Sequence, residues 1–286
     1  MNASPLFNAE LRALRRARAA RASQPASQPV LEPAPEPVSQ EAGFLFQEAA
    51  EALAERLSYI RRDFQSPILH GNDFGALHTA FPRLRPSDCL EGEREIWPLA
   101  AASCDLILSN LQLHWVNDLP GLLIQMRRSL QPDGFFSACL IGGESLFELR
   151  VAITEATDAL GLAHCPRISP MIDVPTAAGL VQRAGFALPV VDHEIVNLSY
   201  THPLSLLKDL RAMGQTNALT NQKTGVDPRA FWPEVCRTYQ ALFAHEQGGV
   251  RATFDLIFLS GWVPAASQQQ PLKPGSAARA LREALD

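Results

Sequence analysis

The sequence predicts an α/β protein, with a largely parallel sheet that is covered by helices on both faces. Runs of buried-strand character at 105–111 and 134–141 alternate with amphipathic segments at helical spacing, such as 119–130 and 174–184. Strands that alternate with helices favour a parallel sheet, because each crossover returns the chain over one face. The last two predicted strands are separated by helices rather than by a tight turn, so we expect a reversed strand at one edge.

The remaining elements follow from periodicity and from helix-end signals. Helices are predicted at 11–22, 43–61, 119–130, 144–160, 174–184, 203–213 and 227–244, and strands at 105–111, 134–141, 188–200 and 250–262. Gly185 is placed to end the helix at 174–184. Residues 62–103 are broken by proline and polar residues, and only 67–70 resemble the start of a strand.

Composition divides the chain into three parts. Residues 1–42 hold an arginine-rich helix and a linker at 23–41 that is rich in proline, serine and glutamine, which predicts an extended segment. Residues 43–263 form the predicted domain, and 264–286 form a loose tail with a short helix at 277–285. The arginine-rich helix is typical of a solvated helix, of a mitochondrial presequence, or of an arm that contacts an acidic partner.

Charge, hydropathy and cysteine usage exclude several classes of protein. The 286 residues carry a net charge of −5, with an estimated pI of 5.8, which argues against a general nucleic-acid coat protein. No stretch approaches 18 consecutive apolar residues, so no transmembrane segment is expected. Five scattered cysteines form no CxxC pair and predict neither a disulfide framework nor a metal site: Cys89, Cys104, Cys139, Cys165 and Cys236.

Polar residues are concentrated where a predicted buried strand ends and a helix begins, in the stretch 109–120. Asn110, His114 and Asp118 stand there, and ligands of open α/β sheets bind at the carboxyl ends of strands. Each position also has a structural interpretation. Asp118 is placed to cap the following helix, and Trp115 to cover the core. The pattern alone leaves both interpretations open.

The stretch 105–134 resembles the region of the fourth and fifth strands in class I S-adenosylmethionine-dependent methyltransferases, where "LHWVNDLP" is followed by a helix and "LxPDG". Three later motifs narrow the resemblance: GGESLFELR at 142–150, PRISP at 166–170 and DLRAMGQTN at 209–217. Together with the basic start at 6–16, this ordered series is similar to the methyltransferase-like assembly factors of respiratory complex I and their bacterial relatives. The malonyl-carrier-protein methyltransferases of biotin synthesis are more distant cousins.

The resemblance implies S-adenosylmethionine as the cofactor, held by a glycine-rich turn after the first strand and by polar residues after a later one. The residues that it implies for this role are Gly71, Asp73, Gly75, Asn110, His114 and Trp115. The family carries an "LDLGCGxG"-like segment where this chain has PILHGNDFG at 67–75. About thirty residues separate Gly75 from Asp105. The fold normally places a second strand, its helix and a third strand in this interval, which requires more residues. The stretch also contains no apolar run that ends in an acidic residue, which is how the second strand would be recognised. We therefore expect a Rossmann-like sheet that is one βα unit short.

A second set of residues is assigned to substrate or partner binding by the same motifs: Asp118, Gly142, Gly143, Glu148, Arg150, Arg167, Arg211 and Asn217. The arginines suit a carboxylate or an acidic peptide, although helix ion pairs explain them equally simply. The two glycines after a strand suit a turn or the close approach of chain or ligand. No catalytic residue is assigned.

Three functions remain open from the sequence. The first is a methyltransferase-like protein of the complex I assembly type, whose partner is a respiratory complex subunit and whose cofactor is S-adenosylmethionine. The second is a non-enzymatic assembly scaffold. The third is a small-molecule carboxyl O-methyltransferase of the biotin-pathway kind. The expected location is the bacterial cytoplasm, with the mitochondrial matrix as the alternative.

Overall fold

The computed structural model describes residues 5–22, 43–71, 75–87, 95–222, 225–246 and 248–268. Its helices are α1 (Ala9–Ala22), α2 (Phe44–Ser58), α3 (Ala76–Ala80), α4 (Leu119–Ser129), α5 (Phe147–Ala159), α6 (Val174–Arg183), α7 (Pro203–Ala212) and α8 (Phe231–Leu242). Its strands are β1 (Pro67–Gly71), β2 (Arg85–Pro86), β3 (Cys104–Asn110), β4 (Leu130–Gly142), β5 (Ala187–Tyr200) and β6 (Val250–Trp262). No helix among these residues is long and apolar enough to cross a membrane.

The strands form one sheet in the order β2-β1-β3-β4-β6-β5, in which β1 to β4 are parallel and β6 runs against both of its neighbours. The expectation of a reversed edge strand is wrong in position, because the reversed strand β6 lies inside the sheet. Burial explains the order. Strand β6 is buried over most of its length, whereas β5 alternates between exposed and half-buried residues, as befits an edge.

Successive residues of the central strands point into two apolar layers, which confirms the predicted three-layer α/β fold. Leu106 and Leu108 pack with α2, α5, α7 and α8, while Ile107 packs on the opposite face with α4 and α6. This alternation follows from the two-residue period of a strand. One helical layer therefore packs against each face of the sheet.

In the region 62–103, where the sequence indicated only the start of a strand at 67–70, the main element is the inner strand β1. Strand β1 pairs with β3 from Pro67 to Gly71, and its entry is held by the buried carboxylate of Asp105. That carboxylate accepts hydrogen bonds from the backbone N–H groups of Gln65 and Ser66, at 2.6 and 2.9 Å. Between Gly75 and Cys104 the described residues add only α3 and the two-residue strand β2, which agrees with the shortened unit that we expected.

Two helices begin three or four residues later than the sequence predicted, and each for a local reason. Helix α5 starts at Phe147 rather than 144, because Gly143 and Leu146 have positive φ angles of 41° and 56°, which a right-handed helix excludes. Helix α8 starts at Phe231 rather than 227, where the side chain of Asp227 is bound by Arg167. The predicted helix at 277–285 and the linker at 23–41 lie outside the described residues.

A buried carboxylate joins α5 to β6. Glu148 is fully buried, and its two oxygens accept hydrogen bonds from Thr253, from the hydroxyl at 2.6 Å and from the backbone N–H at 3.2 Å. The half-exposed guanidinium of Arg251 lies 3.4 Å from the same carboxylate and supplies the opposite charge. The contact therefore ties the reversed strand to the helical layer.

Replacing Glu148 with alanine should lower the free energy of unfolding by about 2–3 kcal/mol, because the buried backbone N–H of Thr253 would lose its acceptor and the hydroxyl of Thr253 would keep only the longer contact to Asn197 at 3.3 Å. Urea denaturation followed by circular dichroism measures the change. Glu155→Ala, on the exposed face of the same helix, is the matched control and should shift the free energy by less than about 0.5 kcal/mol. Equal effects of the two substitutions would contradict this prediction.

Candidate functional site

The carboxyl ends of three neighbouring strands meet at one edge of the sheet. Gly71 of β1 is level with Asn110 of β3, which in turn is level with Cys139 near the end of β4. Ligands of open α/β sheets bind at this edge. Two of the predicted cofactor-binding residues, Gly71 and Asn110, are therefore neighbours. Asp73 lies outside the described residues.

The backbone at Gly71 admits no side chain. Its φ angle is +115°, and an added Cβ would lie 2.5 Å from the backbone oxygen of Asn110 and 3.0 Å from Cγ of Gln112. Gly75 also has a positive φ of +97°, but nothing lies within 4 Å of an added Cβ there. The two glycines thus differ: the first permits a close backbone contact, and the second borders open space.

Asn110 and His70 are buried polar groups at the ends of β3 and β1. The side-chain N–H of Asn110 donates to the backbone oxygen of Phe46 at 2.8 Å, which joins the start of α2 to this edge. Nδ1 of His70 lies 2.9 Å from the hydroxyl of Ser109. Burial lowers the pKa of His70 to about 3, with smaller effects from Arg12 and Arg16, so this imidazole is neutral at physiological pH.

Helix α1 brings an arginine over the same edge. A terminal N–H of Arg12 donates to the side-chain oxygen of Gln112 at 3.1 Å, and the guanidinium carbon lies 5.6 Å from the centre of the Trp115 ring. Burial is the main cause that lowers the pKa of Arg12 to about 10, and Arg16 acts in the same direction. The arginine-rich arm is therefore part of the site rather than a freely solvated helix.

The segment after α7 completes the arrangement. The side-chain oxygen of Gln215 accepts a hydrogen bond from Nε1 of Trp115 at 2.8 Å and lies 3.0 Å from Nε2 of His114. Phe7 packs against Trp115 with the ring centres 5.2 Å apart, and Leu219 lies in the same small buried cluster. Three segments that are far apart in the chain, 5–16, 110–118 and 209–219, meet here.

Asp118 caps the start of α4, and its neighbour Asn117 binds the N-terminal segment at Phe7. A side-chain oxygen of Asp118 accepts from the backbone N–H of Gly121 at 2.9 Å, which confirms the capping interpretation. The side-chain oxygen of Asn117 accepts from the backbone N–H of Phe7 at 2.7 Å, and Glu95 accepts from the backbone N–H groups of both Asn117 and Asp118. A binding role for Asp118 stays a prediction.

The paired glycines after β4 allow parts of the chain to approach each other closely. An added Cβ at Gly142 would lie 2.3 Å from Cδ1 of Ile257, and one at Gly143 would lie 2.2 Å from a carboxylate oxygen of Asp255. That carboxylate also accepts a hydrogen bond from the backbone N–H of Glu144 at 3.2 Å. The turn that leads from β4 into α5 is thus held against β6.

The other predicted partner-binding residues lie on the second half of the domain. Arg167 makes a two-pronged ion pair with Asp227, at 2.7 and 2.9 Å, and covers the ring of Phe231. The side-chain N–H of Asn217 donates to the backbone oxygen of Pro166 at 3.1 Å. Arg150 and Arg211 are exposed on α5 and α7, and Glu148 is buried as described above. Their binding roles stay predictions.

Sequence reasoning missed three residues of the site: Arg12, Gln112 and Gln215. Each stands inside a segment that the sequence singled out, namely the basic arm, the polar stretch at 109–120 and the motif at 209–217. What the sequence does not reveal is their pairing, since about 100 or more residues separate the partners. Among the residues that the structure describes, no three histidine, cysteine, aspartate or glutamate side chains could hold a metal ion.

His114 should make stability depend on pH in the acidic range. Burial is the main cause that lowers its pKa to about 4 from 6.5, whereas Gln215 acts in the opposite direction. As the pH falls, His114 is protonated in the unfolded chain before it is protonated in the folded protein. The free energy of unfolding therefore decreases by about 1.4 kcal/mol per pH unit between pH 6.5 and 4 because of this residue. Urea denaturation should show a smaller loss over this range for His114→Gln than for the wild type. Parallel pH profiles would contradict this prediction.

Comparison of the sequence with known proteins identifies related proteins. The model of a methyltransferase domain family matches residues 71–138, from the end of β1 into β4. The arginine-hydroxylase NDUFAF5 of Danio rerio, a mitochondrial protein, is 36% identical over 192 residues, which are 67% of this chain and 60% of that protein. The arginine-hydroxylase NDUFAF5 of Rattus norvegicus is 30% identical and covers 82% of this chain and 74% of its own length.

A second group of relatives is named for methyl transfer. The malonyl-[acyl-carrier protein] O-methyltransferase of Laribacter hongkongensis is 30% identical, with 78% of this chain and 70% of that protein covered. The chain spans 44% to 61% of the length of four of the arginine-hydroxylase relatives. The chain belongs to the methyltransferase-like family of complex I assembly factors, within the class I methyltransferase superfamily.

Proposed function

We propose that this protein binds S-adenosylmethionine at the carboxyl edge of β1 and β3 and acts in the assembly of respiratory complex I. The observation that carries the proposal is the convergence of the arm, the polar stretch and the 209–217 motif over that edge, through Arg12, Trp115 and Gln215. The family's relatives support the assembly role. The proposed location is the bacterial cytoplasm, with the mitochondrial matrix as the alternative.

The residues at this edge suit the amino-acid end of the cofactor. Gly71 allows the backbone to turn tightly, and Gly75 borders open space into which a ligand can extend. Gln112 and the indole of Trp115 line the same region and are positioned by Arg12 and Gln215. When bound, S-adenosylmethionine supplies an electrophilic methyl group. The chain's own residues bind and orient it and keep water from the buried side of the site.

A scaffold without enzymatic activity is the second candidate, and the shortened region between Gly75 and Cys104 favours it. There the described residues supply only α3 and a two-residue strand beside β1. In this case the protein partner, a respiratory complex subunit, would bind without any chemistry at the sheet edge. The exposed arginines Arg150 and Arg211 are available for an acidic surface on such a partner.

The carboxyl O-methyltransferase function receives less support. It requires an arginine that is free to grip a substrate carboxylate. Arg167 is already held by Asp227 through two hydrogen bonds and is stacked on Phe231. This pairing favours a structural role for Arg167, so a grip on a carboxylate would have to come from the exposed Arg150 or Arg211. The higher identity of the arginine-hydroxylase relatives supports the assembly function over this one.

Calorimetric titration of the full chain with S-adenosylhomocysteine should show saturable binding with a dissociation constant below about 1 mM. Gly71→Ala should weaken it at least tenfold, because the new Cβ displaces the backbone of Asn110. Gly161→Ala is the matched control, since that glycine also has a positive φ but nothing lies within 4 Å of an added Cβ. Binding that is absent at millimolar ligand, or unchanged in Gly71→Ala, would overturn the proposed cofactor site.

Genetic complementation distinguishes a function that requires the cofactor from a scaffold function that does not. In a host that lacks the gene and has lost its NADH-dependent respiratory activity, the wild-type chain should restore that activity. If cofactor binding is required, Gly71→Ala should fail to restore it, whereas Gly161→Ala should succeed. Full restoration by a stably folded Gly71→Ala protein would favour the scaffold, and failure of the wild type would exclude the assembly role.

A further inference from the structure

We propose that a cavity between the start of α7 and helix α8 binds a small, uncharged planar ring that carries a carbonyl group. The cavity has a volume of about 300 Å³, which suits a small ligand. Its polar lining comes from His202, Arg237 and Gln240, and the rest of its lining is apolar. None of the lining residues belongs to the candidate site at the edge of β1 and β3, so the inference goes beyond the proposed function.

The apolar part of the lining comes from both helices. Leu204 lies in the first turn of α7 and is 44% exposed, so an apolar ligand would remove its surface from water. Trp232 and Pro233 precede Cys236 on α8 by about one turn, which places the three side chains on neighbouring positions of the helix surface. Burial raises the pKa of the Cys236 thiol, so this side chain is an uncharged apolar contact.

The indole of Trp232 provides a flat surface for a ring. It is half-buried and packs edge to face with Phe231, with ring centres 5.2 Å apart and an angle of 78° between the planes. Phe231 is itself fully buried, and the guanidinium carbon of Arg167 lies 4.1 Å from its ring centre. An indole that is held in this way loses little conformational freedom when a second ring stacks on it.

His202 contributes a hydrogen-bond donor. Its Nδ1 accepts the backbone N–H of Leu204 at 3.1 Å, which is the bond that caps α7. A ring nitrogen that accepts a hydrogen bond carries no hydrogen, so the hydrogen of this imidazole is on Nε2. The cap therefore fixes the tautomer and leaves the Nε2–H group for a ligand with an acceptor.

The ion pair of Arg237 favours an uncharged ligand over an anion. Nε of Arg237 donates to one carboxylate oxygen of Glu234 at 2.9 Å, and Nη2 donates to the other. The positive charge is thus already balanced, whereas the N–H groups of Nη1 are not used by this pair. A carboxylate ligand would meet the negative charge of Glu234 without a free cation, but a carbonyl oxygen needs only a donor.

A ligand-observed NMR titration of the full chain with three probes tests the inference. Coumarin is an uncharged planar bicycle with a carbonyl group. Indole has a similar shape but its ring nitrogen can only donate, and coumarin-3-carboxylate adds a negative charge. Coumarin should bind with a dissociation constant below about 1 mM and at least about three times more tightly than either of the other probes.

Substitutions in the cavity should weaken coumarin binding selectively. Trp232→Ala should weaken it about tenfold through the loss of stacking, and Trp232→Leu, which keeps an apolar side chain but no flat ring, should also weaken it. His202→Asn retains a residue that can cap α7 but removes the Nε2–H group, and should weaken binding about three- to tenfold. Arg229→Gln, an exposed arginine just before α8 that does not line the cavity, is the matched control and should leave binding unchanged.

The outcomes distinguish this site from the proposed cofactor site. Coumarin binding that persists in the Trp232 and His202 variants, or that S-adenosylhomocysteine displaces, would overturn the inference and leave the cofactor proposal standing. Equal binding of indole would refute the role of the carbonyl, and tighter binding of coumarin-3-carboxylate would show an anion site instead. If none of the three probes binds, the cavity site is refuted. Coumarin binding that is unchanged in Gly71→Ala supports a separate site, whether or not that variant still binds S-adenosylhomocysteine.

Discussion

The parallel pairing of β1 with β3 is the contact on which the rest of the candidate site depends. It brings Gly71 level with Asn110, and the missing side chain of Gly71 lets the two backbones and Gln112 approach closely. Asp105 fixes the other end of β1 by accepting two backbone hydrogen bonds. Without this register, the end of β1 and the polar stretch after β3 would not share one edge of the sheet.

The arm is joined to that edge by contacts of several kinds. Phe7 contributes an aromatic contact to Trp115 and backbone hydrogen bonds to Asn117, and Arg12 contributes its bond to Gln112. The buried guanidinium is unfavourable by itself, so apolar packing and hydrogen bonds must offset its desolvation.

The second half of the domain is arranged differently, since its polar groups are largely paired with one another. Glu148 binds Thr253, Arg167 binds Asp227, and Asp255 lies 3.0 Å from Nδ1 of His193. These pairs hold the reversed strand β6 and the loops beside it in place. The polar side chains of this half therefore act mainly in holding the fold together.

The sequence by itself determined the α/β class and the positions of most helices and strands, because periodicity and end signals are local properties. Its polar stretch at 109–120 and the motifs that resemble a known family indicated the segments that meet at the site. The cap formed by Asp118 was predictable for the same reason. The position of β6 inside the sheet, the burial of Glu148 and the meeting of Arg12, Trp115 and Gln215 were decided only by the tertiary structure. Each of these depends on contacts between residues about 100 positions apart, and no local pattern encodes which distant partner will supply a charge or a hydrogen bond.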